Sequence, residues 1–78
     1  MAQIRDNRIL LRIALVLKDL RDEKEVSQDE VYTQTNIHIG RIEAGISNPT
    51  ISTLAVLLKY FGIKFSDFFY RVETKSER

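Results

Sequence analysis

The stretch from Ser27 to Pro49, SQDEVYTQTNIHIGRIEAGISNP, constrains this chain more than any other part of it. It opens on Ser27 with Glu30 in the third following place, the capping box that starts a helix. It closes on Gly45, suited to the left-handed position that ends a helix, and on an Asn48-Pro49-Thr50 turn. Between these marks there is room only for two short helices that meet at a tight break.

The rest of the chain reads as helix too. No segment alternates for long with period two, and proline and glycine are few and well placed. Helix 1 is expected to begin at Asp6 or Asn7, either of which can cap, and to run to about Asp22. Ile9, Ile13, Val16, Leu17 and Leu20 recur at helical spacing and form its core face, with Leu11 and Leu15 on roughly the opposite side. Helix 2 starts after Ser27 and turns Val31 to the core. Helix 4 follows Thr50, carries Ile51, Leu54, Ala55, Leu58 and Phe61 on one stripe, and stops at Gly62. Ser66 can cap a short helix 5 bearing Phe68, Phe69 and Tyr70, and residues 73 to 78 form a frayed polar tail. With no repeat and no linker, residues 1 to 78 make one all-α domain, its core spanning about 7 to 70. Two consecutive short helices so closely joined suggest a helix-turn-helix, whose second helix enters a DNA major groove.

Composition narrows the class. The chain has 78 residues, 44% hydrophobic, enough for one small folded domain. It contains no cysteine, which excludes disulfides and thiolate metal sites, and a single histidine, which excludes a histidine pair. Arg5, Asp6, Asn7 and Arg8 break any signal pattern, and the apolar run Ile13 to Leu17 is far short of a membrane span. A cytoplasmic protein with no membrane partner is the expectation. The net charge of +1 is low for a nucleic-acid binder, so DNA binding requires the twelve Lys and Arg to gather on one face. A mixed solvating surface is the plainer reading of the same balance.

The ordered combination of LRDEKEVSQDE (Leu20 to Glu30), GRIEAG (Gly40 to Gly45) and NPTISTLAVLLKYFGIKFSDFF (Asn48 to Phe69) resembles the Cro/phage-repressor type of helix-turn-helix regulator, the xenobiotic-response-element-like family. The resemblance covers about residues 9 to 70. It implies a five-helix, lambda-repressor-like bundle that binds double-stranded DNA, usually as a two-fold dimer, with helix 3 in the major groove. It also implies that Gln28 contacts a phosphate, that Arg21 and Glu43 form a buried salt bridge, and that Asn36, Ile37 and Arg41 face base edges with His38 beside them.

The chain departs from the family pattern in three places. The stretch between Ser27-Gln28 and Ile42-Glu43 is short. If Thr35 caps helix 3, that helix is intact over about 35 to 44, and helix 2 with its turn has lost the residues. Alternatively Thr35-Asn36-Ile37 is the turn, Asn36 replaces its left-handed glycine, and helix 3 is shorter by a turn. The preserved spacing from cap to Glu43 favours the first. Tyr32 stands where relatives have a small alanine, and Gly40 is expected to give its ring room. Glu25 replaces a common turn glycine and leaves the end of helix 1 open.

Each candidate contact has a plainer alternative. Arg41 can take two acceptors on a guanine edge, or can be a solvated arginine beside a carboxylate. Asn36 can grip adenine, or can be merely a polar residue of a first turn. Ile37 can cover a thymine methyl, or can pack under a shortened helix 2. His38 can donate to a phosphate or base, or sit exposed. Ser27, Gln28, Thr35, Asn48 and Thr50 are the phosphate candidates, which orient a protein without reading sequence. For Ser27, Asn48 and Thr50, capping and turn-making explain the residue without DNA.

Six of the seven aromatics follow residue 59, more than a small bundle needs to close. Surplus apolar surface of this kind often marks association. A homodimer is therefore expected through Val56, Tyr60, Phe65, Phe68 and Phe69, with Leu11 and Leu15 joining; the alternative is that the rings simply fill the core. No nucleophile–base pair, glycine-rich phosphate loop or metal-ligand cluster suggests an enzyme, and no cofactor or small-molecule ligand is evident. Two functions compete: a sequence-specific transcriptional regulator, and an antitoxin-like or adaptor module that keeps the bundle with little DNA binding.

Overall fold

The computed structural model describes residues 4–76. Within them five helices follow one another: α1 (Asn7–Lys24), α2 (Gln28–Thr35), α3 (Ile39–Glu43), α4 (Ile51–Phe61) and α5 (Phe65–Thr74). α1 is the spine. It packs against α3, α4 and α5, while α2 closes on α3 and α4.

Local chemistry explains most of the boundaries. The Asp6 carboxylate accepts from the amides of Arg8 and Ile9, and α1 starts there. Ser27 Oγ accepts from the Glu30 amide and starts α2. Thr50 Oγ1 accepts from the Thr53 amide and starts α4. Gly62, at φ 71°, ends α4 in the left-handed conformation. Ser66 is not the cap of α5: the helix begins one residue earlier, at Phe65, after an extended Lys64 without a side-chain cap.

The core is one cluster, with Leu10 and Ala14 of α1 buried outside it. Leu10, Ile13, Ala14, Val16, Leu17 and Leu20 of α1 are buried, with Val31, Ile39, Ile42, Leu54, Leu57, Leu58, Phe68 and Val72 from the other helices. Two residues placed on core stripes lie outside it: Ile9 is 42% exposed and Ile51 66%. Both occupy the first turn of their helix. Leu57, absent from the expected α4 stripe, is wholly buried, because α4 is gripped by α1, α2 and α5 rather than from one side.

The polar tail also differs from expectation. Residues 73 and 74 belong to α5, and Lys75 pairs its ammonium with Asp19 of α1. Arg71 Nη1 reaches Glu23 Oε2 at 2.8 Å, so two ion pairs fasten α5 along α1. Residues 77 and 78 of that tail lie outside the described residues.

Glu25 resolves the end of α1. It takes the left-handed conformation itself, at φ 58°, and its amide donates to the carbonyls of Arg21 and Asp22. A side chain in that conformation crowds its own backbone, where glycine would not. Glu25→Gly is expected to raise stability by about 1 kcal/mol. The melting temperature should rise by roughly 4–8 °C in a domain of this size, measured by circular dichroism.

Candidate nucleic-acid interface

The turn between α2 and α3 decides which residues are offered to a partner. Thr35 is the last residue of α2, not the cap of α3. Its hydroxyl donates to the Val31 carbonyl at 2.7 Å and accepts from the Ile37 amide at 3.2 Å. With its one proton committed inside the helix, Thr35 has none to give a phosphate. Asn36 follows as the left-handed closing residue, at φ 63°, and its amide donates to the Tyr32 carbonyl. Asparagine tolerates this conformation better than other residues with a side chain. The shortened motif therefore has its turn at Asn36–His38, and its second helix is the five-residue Ile39–Glu43 rather than 35 to 44.

This relocates the candidate base-reading residues. Asn36 is exposed, but on the turn that ends α2, so it offers no amide from the first turn of α3. Ile37 is half-buried against the core, as in the packing alternative, and its remaining surface lines a shallow cleft. His38 stands immediately before α3 without a side-chain cap bond. Arg41 is exposed, and among the described residues its guanidinium has no hydrogen-bond or ion-pair partner.

Two clefts flank these side chains. One, of about 320 Å³, lies between α2 and α3 and is lined by Gln28, Asp29, Tyr32 and Gly40. The other, of about 270 Å³, lies on the side of the α3–α4 loop, beside Ile37, Ser47, Asn48, Pro49 and Thr50. His38 and Arg41 line both. They form the ridge between two hollows, a shape in which a charged fork and an imidazole project while their neighbours recede.

Behind the ridge the short helix is braced by an ionic network. Arg21 of α1 donates to Glu43 of α3 through Nε at 2.6 Å and Nη2 at 2.9 Å, and through Nη1 to the Val26 carbonyl at 3.0 Å. The side chains of this pair are only 13% and 7% exposed. The hydrogen bonds to Glu43 raise the Arg21 pKa above its already strongly basic value, so the guanidinium remains charged at any working pH. Gln28 Nε2 adds a third donor to Glu43 at 3.1 Å.

Gly40 serves Gln28, not Tyr32. A Cβ at position 40 would meet Gln28 Oε1 at 2.9 Å and Cδ at 3.3 Å, so the missing side chain seats the glutamine amide across α3. The ring of Tyr32 instead lies over His38, with centroids 4.4 Å apart and planes at 26°. Tyr32 and the cleft-lining Asp29 and Ser47 were not candidates from the sequence, because nothing in their spacing says which way α2 and the α3–α4 loop face. Arg5 was missed too. Its guanidinium donates to the carbonyls of Gly45 and Ile46, tying the segment before α1 to the loop after α3 across forty residues of chain.

The remaining phosphate candidates keep varied capacity. Ser27 uses its oxygen as an acceptor in the cap and is exposed. Asn48 is exposed at the rim of the second cleft. The Thr50 hydroxyl caps α4 and also bonds the Thr53 hydroxyl at 3.0 Å, in line with a turn-making role.

The expected dimer residues divide. Phe68 is wholly buried at the centre of the core, so it cannot meet a second subunit. Tyr60 and Phe69 pack against the core from its edge, and Lys24 Nζ stands 5.1 Å from the Tyr60 ring. Val56 and Phe65 are exposed, at 47% and 39%.

Among the described residues no group of acidic or histidine side chains could hold a metal, and no helix is long and apolar enough to cross a membrane. No curated protein and no solved structure matches the chain. A family model described as helix-turn-helix does match, over residues 17–68, two-thirds of the chain. That segment runs from within α1 to Phe68 and includes both helices of the motif, the ridge and the Arg21–Glu43 brace. The chain belongs to the Cro-type, XRE-like helix-turn-helix family of DNA-binding regulators.

Proposed function

We propose that this protein is a sequence-specific transcriptional regulator that binds double-stranded DNA as a homodimer. The ridge of α3 enters the major groove. Arg41 takes the acceptors of a guanine edge, and His38 with the exposed part of Ile37 meets the neighbouring base pairs. Ser27, Gln28 and Asn48 hold flanking phosphates and fix the register. Asn36 and Thr50 stand at the margin of this surface, on turns whose geometry they make. The observation that carries the proposal is the exposed Arg41, unpaired among the described residues, at the junction of two clefts in a regulator family.

The second subunit meets Val56 and Phe65, with Tyr60 and Phe69 at the edge of the contact. Exposed apolar side chains on α4 and α5 support that placement. Sedimentation equilibrium tests it: a monomer at high concentration would remove the dimer.

Selection of bound fragments from random duplexes tests the function. A consensus with two-fold symmetry should emerge, and its affinity should fall steeply with salt, with a log–log slope of about −0.9 per phosphate contacted. Selection of no sequence, or affinity indifferent to salt, contradicts the proposal and points to a protein-interaction module.

A further inference from the structure

His38 reaches the ridge under an unusual constraint. It occupies the cap position of a helix only five residues long, yet its side chain makes no cap bond. An exposed histidine so placed ordinarily moves among several rotamers. Here the Tyr32 ring, one helix away on α2, lies nearly parallel to the imidazole at 4.4 Å. Tyr32 is itself 41% exposed and lines the same cleft as His38 and Arg41. The contact therefore sits at the rim of that cleft, where α2 meets the residue before α3.

We propose that Tyr32 is a positioning residue for His38, and that the stacked pair determines specificity at one base pair beside the one Arg41 reads. The inference rests on the DNA-interface reading of this face. With one face of the imidazole covered by Tyr32, the plane of the ring is set before DNA arrives. A ring N–H held in this way can donate to an acceptor on a base edge without first losing rotamer freedom. The same contact holds His38, the residue immediately before α3, against α2. This accounts for a large aromatic at position 32 beside so short a second helix.

The test uses Tyr32→Phe, which keeps the stack, Tyr32→Leu, which removes it, and His38→Ala. As the only histidine, His38 gives unambiguous ring-proton resonances in the free protein. In the wild type and Tyr32→Phe these should lie upfield, shifted by the neighbouring ring; in Tyr32→Leu they should return toward the values of an unstructured histidine. Against the selected duplex and its single-base variants, Tyr32→Phe should match the wild type. Tyr32→Leu should lose about threefold to tenfold in affinity, the scale of one aromatic contact, and lose discrimination at a single base pair. His38→Ala should lose discrimination at that same pair, and the double variant should lose little more than either. Unmoved histidine protons in Tyr32→Leu, or equal weakening on all duplexes, or additive losses in the double variant, would overturn the proposal. A wild type that prefers no duplex while its histidine protons remain ring-shifted would overturn the interface reading, and the specificity role with it, but not the stack.

Discussion

Arg21→Ala is expected to cost the domain about 2–4 kcal/mol, somewhat less than the roughly 3–5 kcal/mol found when one partner of a fully buried ion pair is removed, because this pair is half-buried. The loss is large because three contacts go together: two bonds to Glu43 and one to the Val26 carbonyl. What remains is a carboxylate 7% exposed, with only Gln28 as a donor. A domain of this length has a total stability of roughly 4–12 kcal/mol, so the variant should be partly unfolded at room temperature or melt far below the wild type. The pair also holds α3 to α1, and a five-residue helix has no stability of its own to fall back on. Replacing both partners together, as in Arg21→Met with Glu43→Leu, should restore most of the loss, because no buried charge is then left alone.

The sign of the pH dependence follows from the raised Arg21 pKa. A cation whose folded value lies above its unfolded one contributes stability fully below the unfolded value and loses it only as pH climbs through the folded one. Both values are strongly basic here, so the Arg21 side of the pair contributes no pH dependence between about pH 5 and 10. In denaturant melts the wild type should show no loss of stability from the Arg21 side of the pair as pH rises from about 7 to 10.

Arg41→Ala should have little effect on stability, since it is exposed and its guanidinium makes no hydrogen bond or ion pair among the described residues. Its effect should appear on DNA. A bidentate arginine–guanine contact is worth about 1–3 kcal/mol of discrimination, roughly fivefold to 160-fold in relative affinity at one base pair. Gln28→Ala should behave differently, weakening selected and random duplexes alike while leaving the salt slope unchanged, because the glutamine amide carries no charge. Gln28 does have a structural bond to Glu43 at 3.1 Å, so its variant needs a melt beside the binding curve. Equal losses for both variants on selected and random DNA would contradict this division of roles.

Much of the fold was legible because caps and stops are local chemistry. Asp6, Ser27, Thr50 and Gly62 act within a few residues of themselves, and each marks a helix end where its residue type predicts. The recognition helix was misjudged because a threonine before an asparagine has two chemistries. Thr35 can cap a following helix or bond back to the carbonyl four residues earlier, and the second left Asn36 to make the left-handed turn. Only tertiary packing chooses between them: Ile39 and Ile42 are buried, and that fixes where α3 can start. The α5 aromatics failed for a related reason. Phe68 and Phe69 are neighbours on a helix, one wholly buried and one at the edge, and composition alone cannot assign the inward position. Tyr32 as a support for His38 was invisible, since it depends on a shortened turn bringing two side chains face to face.

The most direct measurement of the central claim is a map of backbone amide shifts as the selected duplex is added to the isotope-labelled protein. Shifts should gather at Ser27 and Gln28, along Ile37 to Arg41, and at Ser47 to Thr50. Shifts centred on Val56 and Phe65 instead, with Arg41 and His38 unmoved, would show that this bundle meets its partner by another face.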